Sequence, residues 1–234
     1  MTDGGGRVPA AEAGVQRPLA TKPKPRLRGV SHEIFFFVSL VTGPLLGLQS
    51  RTTDERLCTS VYAFSVSAML GTSALFHRRN WSPAGRRRMR RADHSMIFLC
   101  IAGTYTAVAG LSLSAGWAVL ILSLVWGGAA GGVALRLLWL DAPKWVVALP
   151  YVVVGWIAVV AMPELLHVMG GLGFALLLGG GICYTLGAVT YARKRPDPWP
   201  ATFGFHEIFH LFVLVALALH YCLVAFIVLP HPAR

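Results

Sequence analysis

Residues 206–229 read HEIFHLFVLVALALHYCLVAFIVL, and this stretch decides the fold. It holds 24 residues with one carboxylate, Glu207, and no lysine or arginine. As an α-helix it rises about 36 Å, enough to cross the roughly 30 Å hydrocarbon core of a bilayer. It shows no period-two alternation and is far longer than the roughly ten-residue strand of a membrane β-barrel. Six further apolar runs precede it, near 32–49, 57–76, 95–113, 117–135, 145–162 and 168–191. The expectation is an all-α integral membrane protein, a bundle of seven transmembrane helices over residues 29–229. The first run is interrupted by Gly43-Pro44, which a membrane helix tolerates when neighbours satisfy the freed carbonyl.

Composition points the same way. The 234 residues are 55% hydrophobic and only 13% charged, against roughly 25% charged for a soluble domain. A water-facing surface needs that missing charge, so one membrane domain accounts for nearly the whole chain. Residues 1–28 are the exception, with Gly4-Gly5-Gly6 and Lys22-Pro23-Lys24-Pro25-Arg26. Such a segment cannot bury a core and is expected to be a disordered basic cytoplasmic tail. Its length, its prolines and the lack of an A-x-A-like site after the first run set it apart from a cleaved signal peptide.

The formal net charge is +11. A basic chain often binds nucleic acid. Here the lysines and arginines cluster between the apolar runs, where topology and anionic headgroups account for them, so no nucleic-acid partner is expected. With seven spans, 18 of the 21 Lys and Arg fall on the side of the N-terminus and 3 on the other. The positive-inside rule then predicts a cytoplasmic N-terminus and an external C-terminus, with residues 230–234 a short external tail. Without the first span the two sides would be nearly even.

Small residues concentrate in the fourth and sixth runs. Gly127 and Gly131 have G-x-x-x-G spacing, expected here to serve close packing inside the bundle rather than a dimer contact. Cys58, Cys100, Cys183 and Cys222 include no C-x-x-C pair and read as small buried hydrophobes. No internal repeat is visible, and few charges lie in mid-membrane, which disfavours an inverted-repeat transporter.

Polar residues are expensive in membrane helices and are functional candidates by default. Three groups stand out. Ser73-Ala74-Leu75-Phe76-His77 closes the second run, with Ser73 and His77 on one helix face. Arg91-Ala92-Asp93-His94-Ser95 opens the third. Phe205-His206-Glu207-Ile208-Phe209-His210 opens the seventh, its two imidazoles four apart on one face, a spacing that suits two ligands of one tetrahedral Zn²⁺. Alternating topology brings all three groups to one level in the cytoplasmic leaflet. Three imidazoles with an open fourth position make a catalytic-type zinc site, although nitrogen ligands also suit other transition metals. His32 starts the first run at the same side and reads as pocket lining. His167 and His231 map to the far side, and His220 lies well up the seventh helix. Residues 206–210 also fit H-E-x-x-H, in which the glutamate activates water in metalloproteases. No later Asp-Gly ligand segment accompanies it.

At these residues the sequence resembles the hemolysin III family, the bacterial branch of the progestin and adiponectin receptor family. The likeness covers about residues 29–229. It is carried by Arg28-Gly29-Val30-Ser31-His32, Ser73-x3-His77, Asp93-His94-Ser95 with Ile101-Ala102-Gly103-Thr104-Tyr105-Thr106, and His206-Glu207-Ile208-Phe209-His210-Leu211-Phe212. The resemblance implies a seven-helix bundle with the N-terminus inside, in a bacterial inner or plasma membrane. It implies Zn²⁺ held by His77, His206 and His210, with Asp93 holding a water beside the metal and Ser73 next to it. Alkaline ceramidases belong to the wider superfamily, which implies hydrolysis of lipid amides.

The function expected is a zinc-dependent membrane hydrolase acting on a lipid amide or ester, with Asp93 as general acid–base and Ser73 hydrogen-bonding water or substrate. Membrane lipids are the expected partners, drawn by arginines such as Arg78, Arg86 and Arg90. Two other readings stand beside it: a receptor-like or membrane-homeostasis protein with structural zinc, and a hemolysin-type cytolysin. A closed four-ligand site would mark the first, and a polar stripe along a whole helix the second.

Overall fold

The computed structural model describes residues 24–231. Seven α-helices follow one another: α1 (Val30–Gln49), α2 (Thr53–Arg78), α3 (Pro83–Ser112), α4 (Ala115–Leu138), α5 (Lys144–Gly155), α6 (Met162–Arg193) and α7 (Phe205–Leu223). A 3₁₀ turn, Ile157–Ala161, joins α5 to α6, and a π-helical turn, Val224–Val228, prolongs α7. The described residues contain no strand, only an isolated bridge between Trp199 and Phe203. Six helical stretches are long and apolar enough to cross a membrane, residues 144–193 counting as one stretch of 50. The expected tail over residues 1–28 lies outside the described residues as far as residue 23, as do residues 232–234 at the other end.

Helix starts follow local chemistry. Thr52 and Glu55 form a capping box that opens α2, the Thr52 hydroxyl accepting from the Glu55 amide. Ser82 caps α3 and Pro83 occupies its first turn, where a missing N–H costs nothing. That cap moves the start of α3 well before residue 95. No breaker lies between Arg86 and Asp93, and arginine is a good helix former. Asp93 and His94 therefore lie about three turns inside α3 rather than at its opening.

The 50-residue stretch is not a single rod. The Trp156 Nε1–H donates to Thr185 Oγ1 at 2.9 Å. In one straight helix these residues would stand about 43 Å apart. The chain must fold back between them, and it does so at Gly170, with φ 65° and ψ −179°. Only glycine adopts that conformation readily. The reversal thus falls beyond Pro163, which sits in the first turn of α6 and is compatible with continued helix.

Leu46, Phe98, Ala102, Val125, Leu223 and Val224 are fully enclosed and form the centre of the core. Large apolar side chains also cover the outside. Leu48 is 81% and Leu138 86% exposed, as a lipid-facing surface requires. One expectation about packing is corrected. Gly127 and Gly131 have nothing within 4 Å of a notional Cβ and face outward. Their neighbours Gly128 and Gly132 do the packing, against Val154 and Phe98. α4 is apolar on every side, so nothing in its pattern marks the inner face.

Arg136 is fully buried in the last turn of α4. Its guanidinium donates to the Trp139 and Leu140 carbonyls and so caps that helix end.

Candidate metal centre

The last turn of α2, the third turn of α3 and the first turn of α7 meet at one end of the bundle. His77 lies in the last turn of α2, and His206 in the first turn of α7 with His210 one turn on. One ring nitrogen from each of His77, His206 and His210 lies within 4.8 Å of the others, a group able to hold a metal ion. The His206 and His77 Nε2 atoms are 3.2 Å apart. Two nitrogens on a tetrahedral ion with bonds of about 2.0–2.1 Å stand about 3.3 Å apart, so the spacing fits. His210 is buried, and its Nδ1 has no hydrogen-bond partner.

Asp93 reaches the same place from α3. Its Oδ2 is 4.0 Å from His77 Nε2 and 4.0 Å from His94 Nε2. That is too long for a hydrogen bond and leaves room beside the triad for a small bridging molecule. Ser73, one turn before His77, is 2.9 Å from His32 Nδ1 and lines the same cavity end as Asp93. All five residues singled out from the sequence, Ser73, His77, Asp93, His206 and His210, are thus brought together.

His32 belongs with them. The sequence gives it no local partner, yet its ring stacks on His210 with centroids 3.8 Å apart and planes 9° from parallel. Its two partners lie 41 and 178 residues away in sequence, so no local pattern could reveal them. Its position at the start of α1, level with the other histidines, is the one available signal. His94 is buried in the wall, and its carbonyl accepts from the Tyr151 hydroxyl. His220 is engaged elsewhere, against the Leu177 carbonyl, and His167 and His231 are exposed away from the cluster.

Glu207 points away from the triad. It accepts from the Gly204 amide at 2.8 Å and pairs with the Arg28 guanidinium. It closes the first turn of α7 and is tied to the N-terminal segment, unlike the water-activating glutamate of a metalloprotease.

A large cavity opens from this cluster into the bundle. It is lined by His32, Ser73, Asp93, His206 and His210 at one end and by Leu113, Ile121 and Leu165 at the other. On α3 its wall runs from Asp93 to Leu113, about 30 Å at helical rise. Beyond the cluster the lining is mainly apolar. Beside its polar end, the Lys144 ammonium lies 4.2 Å from the centre of the Tyr191 ring, which borders His206.

A helical membrane bundle with a three-histidine group at one end, His77 and His210 buried and His206 partly so, is the class that these features define. The sequence matches the Haemolysin-III related family over residues 20–221, and the chain belongs to that family. It is 33% identical over 181 residues to Hemolysin-3 of Bacillus cereus, covering 76% of this chain and 78% of that protein. It is 33% identical over 137 residues to a Hemolysin-3 homolog of Bacillus subtilis (strain 168), covering 58% of this chain and 62% of the relative. A human relative, monocyte to macrophage differentiation factor, is 25% identical over 195 residues, or 82% of this chain and 79% of that one.

Proposed function

We propose that this protein is a zinc-dependent hydrolase of a lipid amide or ester, working in the cytoplasmic leaflet of a cell membrane. It crosses that membrane seven times, with its N-terminus inside and its C-terminus outside. The fold-back at Gly170 supports the seventh crossing, since it divides residues 144–193 into two antiparallel rods. The charge split, 18 against 3 of the 21 Lys and Arg, supports the orientation.

One observation carries the reading. Three imidazoles, a carboxylate and a hydroxyl converge at the polar end of a long apolar cavity. An acyl chain fits the apolar length, and its carbonyl then falls among the polar groups. His77, His206 and His210 would hold Zn²⁺, which would supply a Lewis acid able to polarise a carbonyl and to lower the pKa of a bound water towards about 7. Asp93 is placed to take a proton from water as the water oxygen attacks the carbonyl carbon. The C–N or C–O bond then breaks, and the same carboxyl returns the proton to the leaving amine or alkoxide. Ser73, held by His32, donates or accepts a hydrogen bond at the reacting oxygen. Lys144 lies where the headgroup of a lipid would emerge and attracts anionic ones. The mainly apolar lining gives no support to a water-filled pore.

The test is hydrolysis by purified protein of ceramide-like amides and simple lipid esters, with and without zinc, read by release of fatty acid. Zinc-dependent release from one of these classes is expected. No release from any of them, together with full zinc occupancy, would favour a structural metal.

A further inference from the structure

We propose that the short segment Lys24–Gly29, latched by the Arg28–Glu207 ion pair, is a positioning element that sets the metal-binding geometry of His77 and His206. The inference rests on the metal site proposed above.

Three contacts bind this segment to the two helices that carry the histidines. The Arg26 and Leu27 amides donate to the Ala201 and Thr202 carbonyls at 3.0 and 3.2 Å, just before α7. The Arg28 guanidinium then pairs with Glu207, whose second oxygen accepts from Gly204. Glu207 follows His206 directly, so fixing its carboxylate fixes the first turn of α7 and the direction in which the His206 ring leaves it. One residue after Arg28, Gly29 lies against α2. A Cβ there would meet the His77 Cβ at 2.6 Å, and its φ of +80° is one that side chains rarely adopt. Residues 28 and 29 therefore touch, in sequence, the element holding His206 and the side chain of His77.

The ion pair is buried on the Glu207 side. Leaving such a carboxylate without its partner is far more disruptive than losing a surface pair. The pair also gives the glutamate of H-E-x-x-H a role other than moving protons. It orients the helix start rather than touching the reacting atoms, so it is a positioning residue. Lys24–Gly29 precedes the first helix and yet joins the start of the last one to the end of the second.

The experiment measures zinc affinity of the full-length purified protein by chelator competition, alongside the thermal midpoint of the chelated, metal-free form. The variants are Arg28→Gln, Arg28→Lys, Glu207→Gln and Gly29→Ala. Glu207→Gln keeps an acceptor for the Gly204 amide and removes only the charge. Expected are zinc dissociation constants raised roughly 10- to 100-fold in Arg28→Gln, Glu207→Gln and Gly29→Ala, the size typical of residues that orient ligands. Arg28→Lys should recover most of the affinity, and the Arg28→Gln/Glu207→Gln double variant should lose little more than either single one, as coupled residues do. Glu33→Gln, which breaks an exposed pair with Arg78 at the same end, should change nothing. Parent-like affinity in Arg28→Gln and Glu207→Gln overturns the proposal. So does an affinity loss in the Arg28→Gln/Glu207→Gln double variant, which leaves no buried carboxylate unpaired, if it is matched by a lowered metal-free midpoint. A parent protein that takes up no zinc instead refutes the metal site itself.

Discussion

Metal binding to three histidines should show as heat stability, and the size of the effect can be worked out. The His77 and His206 nitrogens already stand at a tetrahedral spacing, and the His210 nitrogen lies within 4.8 Å of both. An ion that binds only the folded state at 100 times its dissociation constant adds about 2.7 kcal/mol. For a chain of this size each kcal/mol moves the midpoint by about 2–4 °C, which gives a rise of roughly 5–11 °C. The assay is a thermal scan of detergent-solubilised protein in zinc and in chelator, with metal content measured on the same sample at about one ion per chain. His206→Ala, His77→Ala and His210→Ala should each abolish most of the rise. His167→Ala, an exposed residue away from the cluster, should preserve it. Full zinc content and an undiminished rise in a His206→Ala/His210→Ala double variant would refute the ligand assignment.

Three further outcomes are expected. Asp93→Asn should retain most of its zinc while lipid hydrolysis falls by about 10² or more, because the side chain keeps its size and loses its base; hydrolysis equal to the parent would remove Asp93 from the chemistry. The Tyr105 hydroxyl accepts from the Ala158 amide at 2.8 Å and donates to the Gly155 carbonyl at 2.7 Å, bridging α3 to the turn between α5 and α6. Tyr105→Phe strands both backbone groups and should destabilise by about 1–3 kcal/mol in a denaturation series; an unchanged midpoint would show that this bridge is dispensable. A reporter fused after Arg234 should report the outside of the membrane, and cytoplasmic reporter activity there would break the seven-crossing topology.

The site was more legible in the sequence than the packing around it. His206 and His210 share a face by spacing alone, and alternating topology is enough to bring His77 and Asp93 to their level. His32 lines the cavity as its position predicts, but its partners, Ser73 and His210, come from α2 and α7 and no local pattern names them. Glu207 was ambiguous for a different reason. A helix places it about 100° from His206, but only the fold shows that Arg28 waits on that side. Gly127 and Gly131 misled because α4 lacks a polar face to mark its orientation. The apolar runs 145–162 and 168–191 put the break between them at residues 163–167, whereas the chain reverses at Gly170 inside α6, whose backbone conformation leaves no trace in hydropathy.

The links between helices are unevenly distributed. At the end away from the histidines the chain turns in residues 50–52, in residues 113–114 and at Gly170 alone. At the histidine end the turns are residues 79–82, 139–143 and 194–204. The helix-to-helix turns of the far end therefore offer proteases, antibodies and inserted epitope tags very little peptide to grip. Within residues 24–231, limited digestion of the folded protein should begin in the 194–204 link, where the longest exposed run among the described residues lies just ahead of His206, and a tag inserted at Gly170 should be the least tolerated of any at a turn.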